Sequence, residues 1–296
     1  MRINNNITAL NSHRQYGINN NAIGKNVEKL SSGFRVNRAG DDAAGLAISE
    51  KMRSQIRGLN MASKNSQDAI SLVQTAEGGM QTIQNILQRM RELAVQSGSD
   101  TNETKIDPGA LNLELDQLIK EINDISDTTE FNKIRLLKNI DPSTGISLTN
   151  TGLTIQTGAN MGQTMTIKIA DMSSNALKVN FDASIINTST GSAGTNQISI
   201  ATGRTAREAI QVIDTAINSV STARANLGAM QNRLEFKIQN LDNQAENISA
   251  AESRIRDADM ARMMTEFTKN SILFQASTAM LAQANALPQS VLQLLG

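Results

Sequence analysis

Histidine and cysteine, the side chains that most often perform nucleophilic, acid–base or metal chemistry, are nearly absent from this sequence. It contains one histidine, His13, and no cysteine. A Ser–His–Asp triad, a Cys–His pair and the usual zinc sites need more than this. We interpret His13, which lies in a polar stretch near the amino terminus, as a surface residue. The composition therefore favours a protein without an active site.

Motifs for phosphate, nucleotide and metallopeptidase chemistry are also missing. The sequence has no GxxxxGK[ST] loop, no GxGxxG after a strand and no HExxH. Its 28 acidic residues mostly alternate with basic ones on helical faces, as solvated charges do. A hydrolase built on paired carboxylates remains the enzymatic alternative. We predict no enzyme activity, no cofactor and no metal. Since the net charge is zero, nothing indicates a nucleic-acid partner.

The carboxyl-terminal segment is uncharged after Lys269, which raises the question of a membrane anchor. Polar residues and Pro288 interrupt it, so no apolar run approaches the roughly 20 residues that a spanning helix needs. The amino terminus lacks the apolar region of a signal peptide. We expect no membrane contact, and we expect an uncharged helix packed among other protein helices.

The elements that carry these residues are mostly long amphipathic helices. The spacing of apolar residues near the amino terminus predicts a first short helix. Asp41 and Asp42 are expected to cap a long helix that starts near Ala43. This helix ends at about Ser97, and 107–109 is expected to form a turn into an antiparallel helix. Two seams have alternating spacings of three and four: Val73, Ala76, Met80, Ile83, Leu87, Met90 and Ala94, then Leu111, Leu115, Leu118, Ile122 and Ile125.

Between about 139 and 203 the period changes to two. Alternating residues at 153–156 and 165–169, with a glycine-containing loop at 158–162, predict a β-hairpin. The rest of this region is expected to be strand or loop.

Helical periodicity returns at Thr205 and continues for almost forty residues, through Leu227, Met230 and Leu234. A last helix is predicted from Met260 to about Leu287, where Pro288 is expected to end it. The predicted fold class is mainly α: a long coiled-coil helical hairpin or bundle built from both chain ends, with a small β-hairpin region in the middle.

Particular strings at both ends closely resemble the signatures of bacterial flagellins. At the amino-terminal end these are LSSGFRVN at 30–37, DDAAGLAI at 41–48 and QRMRELAVQ at 88–96. At the other end they are LGAMQNRL at 227–234 and SRIRDAD at 253–259, followed by LAQAN at 281–285. The resemblance covers roughly the first 140 and the last 90 residues, in order.

This resemblance implies a secreted, extracellular structural subunit that polymerises into the flagellar filament used for motility. It implies a terminal coiled coil called D0, at 1–40 and 260–296, and a helical bundle called D1, at 41–140 and 204–259. Segment 141–203 would be the β-hairpin and a reduced variable region. It also implies type III export in an unfolded form, an export chaperone, a cap protein at the growing tip and neighbouring hook-junction proteins.

The family resemblance further implies recognition by host innate receptors. By the family pattern, contact residues for Toll-like receptor 5 fall on Arg89, Leu93 and Glu114. The leucine-rich tail at 292–295 resembles the part that NAIP-type receptors recognise. Filament packing alone could equally account for the string at 88–96.

Two further expectations concern assembly. We expect the terminal helices to be disordered in the free subunit and to order when neighbouring copies bury their seams. The nearest alternative function is that of a flagellin-like hook–filament junction protein. The residues expected to form the assembly seam are Val73, Met80, Ile83, Leu87, Met90, Leu227, Met230, Leu234, Phe267, Phe274 and Leu281.

Overall fold

The computed structural model of the chain describes residues 6–98, 107–138, 152–180 and 203–295. Within these ranges the chain forms five helices and four short strands, and it divides into two compact units. Unit 1 comprises Met1–Arg57 and Gln244–Gly296, and unit 2 comprises Gly58–Asn243. The elements in chain order are α1 (Ile7–Ser32), α2 (Ala43–Ser97), α3 (Asp107–Thr128), β1 (Glu130–Phe131), β2 (Ile134–Arg135), β3 (Leu153–Gln156), β4 (Thr164–Ile167), α4 (Gly203–Arg256) and α5 (Met260–Leu295).

Side-chain and glycine caps set the ends of the first two helices. The Asn6 side chain accepts a hydrogen bond from the Ala9 amide at 3.1 Å and so caps the start of α1. Gly33 ends α1 in the left-handed region, with φ of 74°. As predicted, α2 begins at Ala43, and Asp42 Oδ1 accepts a hydrogen bond from the Gly45 amide at 2.8 Å.

Two predictions based on proline were wrong. Residues 107–109 form the first turn of α3 and not a separate turn. Proline has no backbone N–H, but N–H groups in the first turn of a helix have no intrahelical acceptor, so the helix loses no hydrogen bond there. Helix α5 continues through Pro288 to Leu295 and does not stop before it. Proline leaves the carbonyl four residues earlier, that of Ala284, without its helical donor. The side-chain amide of Asn6 donates a replacement hydrogen bond to this carbonyl at 2.7 Å, which explains why the helix tolerates the proline.

The first predicted seam is fully confirmed as the core of unit 2. All seven of its residues, from Val73 to Ala94, are 0% exposed. On α3, Leu115 and Ile122 are buried, whereas Leu111, Leu118 and Ile125 are only partly buried against the same cluster. The contributions of α4 are Ile213, Val220, Leu227 and Leu234, with Met230 partly buried.

Polar contacts show that α2 and α4 run antiparallel within unit 2. Ser63 donates to Asp242 at 3.1 Å, Arg224 donates to Gln84 at 2.6 Å, and Arg91 pairs with Asp214 at 2.7 Å. As the residue number rises along α2, the partner's number falls along α4. The long carboxyl-terminal helix therefore has the helical partner that its length requires.

The predicted β-hairpin is present as β3 and β4, with Leu153 opposite Ile167 and Ile155 opposite Met165. A second hairpin, β1–β2, was not predicted from the sequence. Its turn residues Asn132 and Lys133 both have positive φ, which suits a tight hairpin connection. Segments 139–151 and 181–202 of the predicted middle region lie outside the described residues.

No helix in the described part of the chain is long and apolar enough to cross a membrane.

Replacing Met80 with alanine should lower the free energy of unfolding of unit 2 by about 2–5 kcal/mol, because the side chain is fully buried and its loss leaves a cavity. Urea denaturation followed by circular dichroism would measure the change. Gln88→Ala, on the exposed face of α2, is the control and should leave the midpoint unchanged. Equal midpoints for Met80→Ala and the natural chain would contradict the assignment of this seam as core.

Candidate assembly surface

The two chain ends pair as antiparallel helices, α1 with α5, inside unit 1. The rings of Tyr16 and Phe274 lie 4.9 Å apart. Asn19 Nδ2 donates to Ser277 Oγ at 2.8 Å and to the Leu273 carbonyl at 3.2 Å. Together with the contact between Asn6 and Ala284, these bonds join residues more than 250 positions apart in sequence.

The buried positions of both helices follow alternating steps of three and four, as in a coiled coil. On α1, however, the two most buried positions of this seam are asparagines, Asn19 and Asn26. The predicted seam residues Phe267, Phe274 and Leu281 are partly buried in it. The seam consists of Ala9, Ser12, Tyr16, Asn19, Ile23, Asn26 and Leu30 against Met263, Phe267, Asn270, Phe274, Ser277, Leu281 and Ala284.

Large apolar side chains of the same helices point away from this seam. Ile7 and Leu10 on α1 are 68% and 67% exposed, and Ile272 and Met280 on α5 are 60% and 61% exposed. Exposed large apolar side chains grouped on the same helices are typical of a site of protein–protein contact. No charged residue follows Lys269, so the end of α5 can be covered without burying an unpaired charge. We term the exposed apolar side chains of α1 and α5 the apolar face.

The chain between α1 and α2 docks on the junction of α4 and α5. The Arg35 amide donates to the Arg256 carbonyl at 2.7 Å, and the Ala258 amide donates to the Gly33 carbonyl at 2.9 Å. The Arg256 guanidinium lies 4.8 Å from the centroid of the Phe34 ring. The resulting clasp, residues 33–36 with 255–258, holds both junctions of unit 1 together.

Arg256 also links the clasp to α2. Its Nη1 donates to Glu50 Oε1 at 2.6 Å, and Arg53 approaches the same oxygen at 3.4 Å. The hydrogen bond from Arg256 is the main reason that the pKa of the Glu50 carboxyl lies below its usual 4.5. The ionised form of Glu50 is therefore the one that stabilises the clasp.

The predicted receptor-contact residues fall into two groups on unit 2. Arg89 and Glu114 are exposed and form an ion pair at 2.9 Å, and Glu92 contacts Arg89 at 3.1 Å. The hydrogen bonds that Arg89 donates to these carboxylates raise its pKa, chiefly the bond to Glu114 and then the bond to Glu92. Leu93 is only 1% exposed and packs in the core cluster. The structure therefore brings the charged pair to the surface and places the leucine in the core.

Most of the residues predicted to form the assembly seam also lie inside unit 2 and not on its surface. Val73, Met80, Ile83, Leu87, Met90, Leu227 and Leu234 are buried within the single chain, so their side chains pack its interior. His13 is exposed, as predicted, with its ring 6.5 Å from that of Tyr16. Among the residues that the structure describes, no group of three acidic or histidine side chains is arranged to hold a metal ion.

The asparagine contacts and the clasp were not found from the sequence. A heptad pattern is recognised from its apolar residues. Because the seam of α1 is largely polar, its heptad pattern in the sequence is weak. The run of asparagines near the amino terminus was the available signal, since asparagine is otherwise a poor helix former.

Comparison with known proteins gives matches at both chain ends. The sequence model described as the bacterial flagellin N-terminal helical region matches residues 3–141, and that of the bacterial flagellin C-terminal helical region matches residues 210–295. A flagellin of Halalkalibacterium halodurans is 52% identical over 295 residues, and one of Bacillus subtilis is 53% identical over 311. Both alignments cover 100% of each chain. The crystal structure of Bacillus cereus flagellin is 32% identical, with a TM-score of 0.47, and covers 64% of this chain and 94% of that one.

Acid should destabilise unit 1 through Glu50. Because the pKa of its carboxyl is lowered in the folded state, its contribution to stability is present above about pH 4.5 and is lost as the pH falls through the folded-state pKa. Glu50→Gln should therefore lower the melting temperature near neutral pH and have less effect in acid. Differential scanning calorimetry across this range would measure both.

Glu246→Gln is the matched control for this experiment, because Glu246 is an exposed residue of α4 with no ion pair among the described residues. A destabilisation by Glu50→Gln that stays constant from neutral to acid pH would contradict the role given to its ionised carboxylate.

Proposed function

The chain belongs to the bacterial flagellin family, and we infer that it polymerises into the extracellular filament of the flagellum by burying the apolar face of its terminal helices between copies. The family is structural, and the chain acts as a filament subunit. We propose that it has no catalytic activity of its own. Its partners would be other copies of itself, with no membrane, nucleic acid or cofactor involved.

The apolar face is the observation that supports this mechanism. Paired α1 and α5 still leave Ile7, Leu10, Ile272 and Met280 more than half exposed. Burying apolar surface contributes roughly 25 cal/mol per Å², so several such side chains per copy favour association. The uncharged end of α5 adds no desolvation penalty for charge to this association.

We propose that the chain ends correspond to the family's D0 and the inner helices to D1. Residues 1–40 and 260–296 fall within unit 1, and the buried seams of α2, α3 and α4 fall within unit 2. The side chains buried in unit 2 would keep each subunit rigid. Phe267, Phe274 and Leu281 of α5 are partly exposed and would also contact neighbouring copies.

The terminal pair is built to be weak in a free chain. Asn26 is 8% exposed, and its buried Nδ2 has no hydrogen-bond partner among the described residues, which costs stability. We propose that α1 and α5 are disordered in the free subunit and order on assembly. This would suit export of the chain in an unfolded form, bound to a chaperone until it leaves the cell. The chain would then assemble under a cap protein at the growing tip of a filament that begins at the hook-junction proteins.

We also propose recognition of the free subunit by Toll-like receptor 5. Arg89 and Glu114 would form the contact, since both are exposed and held together by their ion pair. Leu93 would act from the core, by packing the helix that carries Arg89. Recognition of the tail by NAIP-type receptors stays a prediction, since the side chains of Leu292, Leu294 and Leu295 lie outside the described residues.

The hook–filament junction alternative is not better supported than the filament subunit. Two full-length relatives that are more than half identical to this chain are named flagellin.

Deleting residues 270–296 should abolish filament formation and leave unit 2 folded. The deletion removes most of α5 and much of the apolar face but no core residue of unit 2. Negative-stain microscopy and sedimentation would detect filaments, and circular dichroism would report the remaining helices.

A finer variant tests the apolar face without shortening the chain. Ile272→Ser combined with Met280→Ser should also reduce polymerisation, whereas Gln275→Ser, at an exposed polar position of the same helix, should not. Filaments of normal length and yield from either the truncated chain or the double variant would refute the proposed mechanism.

Arg89→Ala should reduce activation of a Toll-like receptor 5 reporter cell by about tenfold, which corresponds to about 1.4 kcal/mol of binding free energy. Arg91→Ala is the matched control, because Arg91 is equally exposed but pairs with Asp214 on α4. Leu93→Ala should be tested separately with its folding measured, since this side chain is in the core. Unchanged activation by Arg89→Ala would count against the proposed contact.

A further inference from the structure

Two asparagine amides cross the seam between α1 and α5, at Asn6 and Asn19. We infer that these two residues determine the register of the terminal helix pair, by accepting only one alignment of α1 along α5. The inference rests on the proposed function, because a filament of identical subunits needs every copy to pair its ends in the same register.

Apolar packing alone cannot select this register. The seam of α5 repeats large apolar residues at seven-residue intervals, Phe267, Phe274 and Leu281. Sliding α1 by one heptad would place Tyr16 beside Phe267 or Leu281 and not beside Phe274. The apolar area buried would change little, so the alternatives would be close in energy.

The Asn19 contact distinguishes the observed register from one displaced toward the end of α5. Asn19 is 6% exposed, and its amide donates to both the Ser277 hydroxyl and the Leu273 carbonyl. The Ser277 hydroxyl itself donates to the Leu273 carbonyl at 2.6 Å, so the three groups form one closed cluster. A shift of one heptad toward the end of α5 replaces Ser277 by Ala284, which has no hydroxyl. The buried Asn19 amide would then lose its side-chain acceptor.

The Asn6 contact selects the same register for a different reason. Pro288 has no N–H group, so the Ala284 carbonyl lacks the donor that every other interior carbonyl of the helix has. Pro288 is the one proline in α5, and so it frees a single carbonyl at a single level of the helix. Asn6 Nδ2 donates to that carbonyl at 2.7 Å. Any displacement of α1 separates the free carbonyl from its donor.

Disulfide trapping can measure the register directly, because the natural chain has no cysteine. Tyr16→Cys with Phe274→Cys reports the observed register, since the two rings are in contact. Tyr16→Cys with Leu281→Cys reports a register displaced by one heptad. A closed intrachain disulfide is recognised by its faster migration on a non-reducing gel.

The test variant combines Asn6→Asp with Asn19→Leu. Aspartate keeps the side-chain oxygen that caps α1 and removes the amide donor to Ala284. The matched control, Asn20→Leu with Asn21→Asp, makes the same two residue changes at exposed positions of the same helix. It therefore corrects for changes in helix propensity and in charge.

In the natural background the observed pair should close and the displaced pair should close rarely. In the test variant the displaced disulfide should increase about tenfold, the equilibrium equivalent of losing one satisfied buried amide. The control should show no increase. An unchanged displaced disulfide in the test variant, or an equal increase in the control, would overturn the inference.

Disulfide formation should be induced both in the free chain and in pelleted filaments. The register is determined in the form in which the Tyr16→Cys, Phe274→Cys pair forms its disulfide. A natural chain that forms no filaments would contradict the proposed function, whatever its cross-links. Filaments that form normally, with one register in the test variant, would contradict only the role of Asn6 and Asn19.

Discussion

The antiparallel contact between α1 and α5 is the interaction on which the order of both chain ends, and with it the proposed assembly, depends. The bond from Asn6 to Ala284 joins residues 278 positions apart, so the two chain ends must meet before either terminal helix is stabilised. Closing a loop has an entropic cost that rises with its length. This cost is consistent with the proposal that the terminal pair is weak in the free chain and orders on assembly.

Polar and apolar side chains have opposite roles in the two units. In unit 2 the seam residues are apolar and buried or partly buried, and they form the core of a helical bundle. In unit 1 the seam carries Asn19, Asn26 and Ser277, whereas Ile7 and Leu10 are exposed. Under the proposed mechanism, the polar seam gives selective pairing with little stability, and the exposed apolar side chains are buried in contacts between copies. Folding and polymerisation would then use apolar surface in different units.

The clasp shows how the connectors of unit 1 are ordered without a large core. Backbone hydrogen bonds join residues 33–36 to 255–258, and Arg256 contacts both the Phe34 ring and the Glu50 carboxylate. Both helix junctions of this unit therefore depend on one arginine. Its Nε is buried without a hydrogen-bond partner in the described part of the chain, so the clasp retains an unsatisfied donor.

The sequence by itself determined the fold class, the family, the seam from Val73 to Ala94, the cap of α2 and the hairpin β3–β4. These features are local, because the period of apolar residues and the type of capping residue act within one element. Only the tertiary structure decided that Leu93 is buried in the core, that α5 passes through Pro288, and that asparagines line the seam of α1. Each of these depends on a partner far away in sequence: the Ala284 carbonyl needs the Asn6 amide, and Asn19 needs Ser277. Periodicity identifies the faces of a helix, but which face is buried is decided by the element that packs against it.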